Sequence, residues 1–239
     1  MSNLSIGTWM SLPNESIAEI YANTGYEWIV VDLEHSAMTI HQAEKLIRII
    51  DLCGTKPYVR LSGHDPSQIK RVLDSGAKGI IAPMVNSYDE AADIIKAIFY
   101  PPRGTRGMGL ARAQGYGGTK KEDYIKSTSN EIEIFVQIES IEALIELDRI
   151  FELPIEGYFF GPYDLSASLG KPGDFSSKEF SETELLILEK AKAKNLKACF
   201  HLVEPEPERI PEIEAKGYNM LAYSVDIRIL ERFSKTPFK

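Results

Sequence analysis

Short β-rich runs alternate with amphipathic helical segments along the whole chain, and this alternation constrains the fold more than any other feature. The runs are Leu4 to Trp9, Trp28 to Leu33, Pro57 to Leu61, Gly79 to Met84, Ile132 to Ile138, Gly157 to Phe160, Ala198 to Leu202 and Asn219 to Tyr223. Helical periodicity is read over Thr39 to Leu52, Asp65 to Asp74, Ser87 to Phe99, Ile141 to Ile150, Glu182 to Lys194 and Glu208 to Lys216. Gly25, Gly54, Gly76 and Gly217 stand where left-handed caps would end helices. Strand followed by helix, repeated, is the pattern of a parallel sheet with helices packed outside it. Eight strands is the number that a closed (β/α)8 TIM barrel requires, although an open doubly wound sheet would show the same alternation. The length fits one large α/β domain or two small ones, and with the eight-strand count a single barrel domain over residues 1–239 is the expected organisation.

Composition narrows the function. With 44% hydrophobic and 26% charged residues the chain reads as globular, and its length allows a sizeable core. A net charge of −8 argues against nucleic acid or an anionic membrane surface as the main partner, because both need clustered Lys and Arg. Small molecules are the expected partners. No run approaches the roughly 18 consecutive apolar residues of a membrane span, and no basic segment with an apolar signal core opens the sequence, so a cytoplasmic location is expected. Cys53 and Cys199 are far apart and indicate neither a disulfide framework nor a zinc knuckle.

Ionisable residues gather at the ends of the apolar runs. Glu139 follows Ile134-Phe135-Val136-Gln137-Ile138, and Asp164 follows Gly157 to Tyr163. In a parallel barrel both would lie on the carboxyl-terminal face, where barrel enzymes build their active sites. Two such acids suit a hard divalent cation completed by water and substrate, and they also read as an acid/base pair or as a structural accident. The second strand ends Val30-Val31-Asp32-Leu33-Glu34-His35, so Asp32 and Glu34 share one side while His35 sits at the mouth. An imidazole beside a carboxylate is a candidate general base, the alternative being a pair of structural hydrogen bonds. Arg60, on the third strand, needs an anionic partner if it faces inward: Asp74, Glu34 or a ligand. There it would suit a developing enolate oxygen. His41 falls in a helix, His64 in a loop, and His201 near the end of the seventh strand, where a satisfied core histidine is the commoner outcome.

Lysine placement argues against Schiff-base chemistry, since Lys56, Lys78 and Lys197 fall at strand beginnings, whereas such a lysine must stand at a strand's catalytic end. A metal is then the expected electron sink. Tyr100 to Gly118, rich in Arg and Gly, is longer than an ordinary connection; it is expected to emerge near the carboxylates as a functional loop, the alternative being a solvated insertion.

Several separated motifs, in order, carry a resemblance over nearly the whole chain. They are Gly7-Thr8-Trp9, Gly25-Tyr26-Glu27-Trp28, Asp32-Leu33-Glu34-His35, Arg60, Leu73-Asp74-Ser75-Gly76-Ala77, Pro83-Met84-Val85, Tyr100-Pro101-Pro102-Arg103-Gly104 with Arg106-Gly107-Met108-Gly109, Gln137-Ile138-Glu139 and Gly161-Pro162-Tyr163-Asp164-Leu165-Ser166. The sequence resembles the HpcH/HpaI aldolases, metal-dependent class II pyruvate aldolases. The resemblance implies a barrel of the phosphoenolpyruvate/pyruvate type, and a homo-oligomer, commonly a hexamer, in which a last helix near 226–234 packs on or swaps with a partner subunit. It implies Mg2+ or Mn2+, with Co2+ as a further candidate, on Glu139 and Asp164, and no organic cofactor. His35, oriented by Asp32, would move the proton of the C4 hydroxyl, and Arg60 would stabilise the enolate. Gln137, Gly161, Pro162, Tyr163 and Trp9 would bind substrate, with Asp74 at the rim. The implied reaction cleaves a 4-hydroxy-2-oxo acid to pyruvate, or a close 2-oxo acid, and an aldehyde. Oxaloacetate decarboxylation, acyl-CoA lyase chemistry and a non-catalytic binding relative are the alternatives. Tyr163, Ser224-Val225-Asp226 and a shorter Arg-Gly loop depart from the family's usual pattern and bear on the aldehyde more than on the metal.

Overall fold

Eight parallel strands close into a barrel in sequence order. They are β1 (Ser5–Met10), β2 (Trp28–Asp32), β3 (Lys56–Arg60), β4 (Gly79–Ala82), β5 (Glu133–Ile138), β6 (Gly157–Phe160), β7 (Lys197–Leu202) and β8 (Met220–Val225), in a computed structural model. The structure describes residues 4–119 and 121–238; residues 1–3, 120 and 239, which include both ends of the expected domain, lie outside the described residues. The barrel closes where β1 pairs with β8, through Ser5 opposite Met220 and Gly7 opposite Ala222.

The helices are α1 (Glu15–Ala22), α2 (Ile40–Leu52), α3 (Pro66–Asp74), α4 (Tyr88–Ile98), α5 (Lys121–Glu131), α6 (Ile141–Ile145), α7 (Leu147–Ile150), α8 (Pro162–Ser168), α9 (Lys178–Ala193), α10 (Ile210–Lys216) and α11 (Asp226–Ser234). Polar caps fix where several of them start. Asn14, Asp65, Ser87, Ser140 and Ser177 each accept a hydrogen bond from an N–H of the first turn, and Thr39 forms a reciprocal capping box with Gln42. Capped by Ser177, α9 begins at Lys178, four residues before the expected Glu182. The expected helix Ile141 to Ile150 is split at Glu146 into α6 and α7. No helix among the described residues is long and apolar enough to cross a membrane.

Two apolar layers result from the period-two alternation of the strands. Ile29, Val31, Val59, Ile80, Val136 and Ile138 face outward against helix residues such as Ile47, Ile69, Ile94 and Ile187. Trp9, Trp28, Val30, Tyr58, Ile81, Phe135, Phe159 and Met220 fill the barrel interior. Trp28 stacks on Tyr58 at 5.7 Å, and Phe159 meets Phe135 and Trp9 edge-on at 5.6 and 5.5 Å. These buried rings form an apolar floor beneath the site.

Candidate active site

Continuing each inward row toward the carboxyl end of its strand builds the site. β2 runs Trp28, Val30, Asp32; β3 runs Tyr58, Arg60; β5 runs Phe135, Gln137 and then Glu139. The polar ends meet above the aromatic floor in a cavity of about 380 Å³ lined by Trp9, His35, Arg60, Gln137, Glu139, Phe159 to Asp164, His201 and Val203. No lysine lines it. Lys56 and Lys197 stand at the opposite end of the barrel, on Glu133 at 2.5 and 3.0 Å.

Glu139 is buried, and both of its oxygens are held. Oε1 accepts the Met84 N–H at 2.7 Å and Oε2 accepts Nε2 of Gln137 at 2.9 Å. Met84 turns its N–H to that position by adopting a left-handed backbone, φ 47°, just past the end of β4. Gly161 leaves the room: a Cβ there would lie 2.5 Å from Oε2 of Glu139. Burial, together with the charges of Asp164 and Glu34, raises the Glu139 carboxyl to about 7 against the Met84 hydrogen bond and Arg60. Asp164 lies not on an extended strand end but in the first turn of α8, because Pro162 starts a helix there. A carboxylate in that turn also complements the helix dipole.

Arg60 meets Asp32 in a two-pronged ion pair, Nε to Oδ1 at 2.9 Å and Nη2 to Oδ2 at 2.6 Å, while Nη1 reaches Oε2 of Glu34 at 3.0 Å. Of its expected protein partners the structure selects Glu34, not Asp74. Its Cζ also sits 4.9 Å from the Trp9 ring centre. Burial alone would raise the Asp32 carboxyl, but the Arg60 bonds and charge, with the N–H groups of Glu34 and His35, hold it below its ordinary value.

The expectation that Asp32 orients the His35 ring is corrected. Both Asp32 oxygens are engaged by Arg60, and Asp32 reaches only the His35 main chain, at 3.4 Å. The carboxylate beside the imidazole is that of Glu34, with Oε2 3.9 Å from Nε2, and the His35 side chain is 72% exposed at the rim. His201 lines the cavity as a fixed neutral ring. It stacks on Trp9 at 4.6 Å and bonds the Ser224 carbonyl through Nε2 at 3.0 Å, and burial lowers its pKa to about 4. Since a carbonyl only accepts, Nε2 carries the proton. His64 bonds the Pro83 carbonyl at 2.6 Å.

Asp74 is not at the rim of this chain's cavity. It ends α3 at the amino-terminal side of the barrel, where Nη2 of Arg106 binds it at 2.6 Å. The Arg-Gly segment follows α4 and precedes α5 and β5, so it lies at that same end, away from Glu139 and Asp164. There Arg112 bonds Asp51 at 2.5 Å and the Ser75 carbonyl at 3.3 Å. Of the backbone donors expected around Gly161, its own N–H goes to the Ile138 carbonyl at 3.4 Å and Pro162 has none. The first-turn N–H groups of Tyr163 and Asp164 remain, with no carbonyl inside the helix to receive them. Met84 and Val203 belong to the site region without having been expected there, Met84 through its main chain.

The family model described as HpcH/HpaI aldolase/citrate lyase matches residues 5–232. A 2-keto-3-deoxy-L-rhamnonate aldolase of Klebsiella pneumoniae is 36% identical over 224 residues, 92% of this chain and 82% of the relative. Among solved structures, an HpcH/HpaI aldolase/citrate lyase family protein from Burkholderia cenocepacia superposes with a TM-score of 0.91 at 27% identity, covering 99% of this chain and 94% of the other. An HpcH/HpaI aldolase from Desulfitobacterium hafniense gives 0.89 at 27% identity, covering 99% and 92%. The fold and these relatives define a carbon–carbon lyase of the aldolase class. The chain belongs to the HpcH/HpaI aldolase/citrate lyase family.

Proposed function

We propose that the chain cleaves a 2-keto-3-deoxy sugar acid of the L-rhamnonate type to pyruvate and a short hydroxyaldehyde, with a divalent cation, Mg2+ or Mn2+ and with Co2+ as a further candidate, held by Glu139 and Asp164. One observation carries this reading. Asp32, Glu34, Glu139 and Asp164 place four carboxylates around the single guanidinium of Arg60, in a site that must admit a further anion, the 2-oxo acid. Without added positive charge the arrangement repels its substrate; burial is the main cause that raises the Glu139 carboxyl, and the Asp164 and Glu34 charges add to it. Among the described residues the buried Oε1 of Gln137 also lacks a hydrogen-bond partner, beside Glu139. Oxygen donors of this kind fit a hard cation.

Bound there, the cation supplies a Lewis acid for the keto oxygen of the 2-oxo acid. The residues of the chain do the rest. His35 accepts the proton of the C4 hydroxyl at a ring nitrogen as the C4 oxygen becomes the aldehyde carbonyl; the electron pair of the C3–C4 bond forms the C2=C3 bond while the keto π pair moves onto its oxygen, and return of the proton to C3 gives pyruvate. Arg60, fixed by Asp32 and Glu34, turns its remaining N–H groups toward that oxygen. The Tyr163 and Asp164 N–H groups receive the substrate carboxylate, and the buried Nε1 of Trp9, which has no partner among the described residues, is available to a substrate oxygen. An acyl-CoA substrate is disfavoured, since Arg106 and Arg112 are paired at the far end of the barrel and, among the described residues, Arg60 is the one Lys or Arg that lines the cavity. The homo-oligomer expected from the resemblance, six copies with α11 packed against or exchanged with a partner, is supported by Ile227, Leu230 and Phe233, which are exposed on that helix. Calorimetric titration of metal-free protein with Mn2+ tests the ligands: one site on the native chain, at least tenfold weaker after Glu139→Ala, is expected. Equal affinity in both proteins contradicts the assignment.

A further inference from the structure

We propose that His201 is a specificity-determining residue that reads a substrate hydroxyl by accepting its hydrogen at Nδ1. The assignment rests on the aldolase reading and extends it to the substrates that the site prefers. On β7 the inward row runs Cys199 and then His201. Where β2, β3 and β5 end this row in a charged group, β7 ends it in a neutral ring on the cavity wall. The ring is fixed in two ways. It lies on Trp9 with the planes 12° apart and the centres 4.6 Å apart, and its Nε2–H donates to the Ser224 carbonyl at 3.0 Å. With the proton on Nε2, Nδ1 carries a lone pair. No donor among the described residues meets it.

The closing strand of the barrel enforces this tautomer. Between β1 and β8 the register shifts, Gly7 facing Ala222 but Trp9 facing Val225, so β8 carries one extra residue in a bulge. Ser224 lies in that bulge with a left-handed backbone, φ 58°. Its hydroxyl donates to the Val203 carbonyl at 2.8 Å, and its own carbonyl receives the His201 ring. A non-glycine residue pays for that conformation, and here the strained turn holds one carbonyl on Nε2. The cavity wall beside His201 is otherwise apolar, made of Trp9, Phe159, Phe160 and Val203. A lone acceptor in such a wall discriminates, because a hydroxyl donates to it while a CH, a ketone or a carboxylate offers it nothing. Trp9 supplies the complement, since its buried Nε1–H has no partner among the described residues and a hydroxyl oxygen accepts as well as donates. Arg60, with Cζ 4.9 Å from the centre of the same Trp9 ring, places this wall near the reacting carbons rather than at the far end of the substrate. Two hydroxyls meet that condition: one on C5, next to the carbon that becomes the aldehyde, and one on C3 of the 2-oxo acid.

Aldol addition, the reverse reaction, distinguishes them. Native, His201→Leu and His201→Asn proteins, metal-loaded and checked by thermal unfolding, are assayed in two arms. Pyruvate is added to lactaldehyde or to propanal, which differ by the C5 hydroxyl; propanal receives hydroxypyruvate or pyruvate, which differ by the C3 hydroxyl. The quantity read is kcat/KM for the hydroxylated substrate over that for its deoxy counterpart, and comparing this ratio between proteins cancels the intrinsic reactivity of each substrate. His201→Leu is expected to lower the ratio by about tenfold or more in one arm, and that arm identifies the hydroxyl. His201→Asn, which keeps an acceptor oxygen near the place of Nδ1, is expected to stay within about threefold of native. His201→Phe keeps a ring on Trp9 without an acceptor and takes the place of His201→Leu if that protein does not fold. Ratios within about threefold of native in both arms for the acceptor-free protein overturn the proposal, by showing that His201 only packs. An equal fall in His201→Asn overturns it too, by tracing the effect to shape rather than to the acceptor. Native protein that adds none of these pairs overturns the aldolase reading, and the role of His201 with it.

Discussion

Gly161→Ala isolates the fit between β6 and the Glu139 carboxylate. Gly161 has φ −101° and ψ 83°, a backbone conformation that alanine also adopts, so the substitution strains no dihedral angle. The added Cβ would stand 2.5 Å from Oε2 and 2.7 Å from Cβ of Glu139, against an ordinary contact of 3.4 Å or more. The carboxylate must therefore retreat by roughly 1 Å, a displacement of the size that costs about 10²-fold in a well-aligned site. In moving it loosens its bonds to the Met84 N–H and Gln137. Overpacking of this kind costs about 1–3 kcal/mol of stability, a fall of several degrees in Tm for a chain of this length. Pyruvate release measured through a coupled NADH-linked assay is expected to show kcat/KM lowered about 100-fold, with weaker Mn2+ binding, in protein that still unfolds cooperatively. Gly63→Ala, at a glycine with nothing within 4 Å of the added Cβ, should behave as the native enzyme. A Gly161→Ala enzyme within threefold of native kcat/KM would refute the argument that the Glu139 position governs catalysis.

Asp32→Asn removes the charge opposite a buried guanidinium. Because Glu34 still neutralises Arg60, a loss of about 2–3 kcal/mol in chemical denaturation is expected, below the usual cost of breaking a buried pair, together with a fall in kcat; unchanged stability counts against the pair. His201 sets an acid limit on stability. The unfolded imidazole takes its proton near pH 6.5 and the folded one only near 4, so stability is complete above 6.5 and declines by up to about 3 kcal/mol as pH falls to 4. Tm measured across that window should flatten in His201→Gln; the same slope in both proteins contradicts the burial of a neutral ring. Met84→Gly relaxes a left-handed backbone while keeping the N–H on Glu139, and should raise stability by about 1 kcal/mol with activity retained. A lower Tm would show that the Met84 side chain carries packing that outweighs the strain.

The barrel was legible because burial imposes a simple alternation. Counting inward along β2, β3 and β5 from Trp28, Tyr58 and Phe135 leads directly to Asp32, Arg60 and Glu139 at the mouth. Other features lacked such a signal. Tyr158, Phe159 and Phe160 blend into Gly161 and Pro162, so the apolar run conceals the start of α8, and Asp164 reads as a strand end rather than as a first-turn helix residue. The short α1 and the polar α5 present weak periodicity beside the longer helices. Met84 contributes its main chain, which residue type does not reveal. The Arg-Gly loop is a different case. Any segment leading from a helix to the next strand lies at the amino-terminal end of a (β/α)8 barrel, so its position followed from chain order, while its richness in arginine and glycine pointed toward the site.

Metal dependence of carbon–carbon bond cleavage tests the central claim most directly. Protein stripped with chelator and supplied with 2-keto-3-deoxy-L-rhamnonate is expected to release pyruvate at under a few per cent of the native rate, to recover with Mg2+ or Mn2+, and to fail to recover after Glu139→Ala. Undiminished pyruvate release from the chelated enzyme, or full recovery by the Glu139→Ala protein, would contradict a cation held by Glu139 and Asp164.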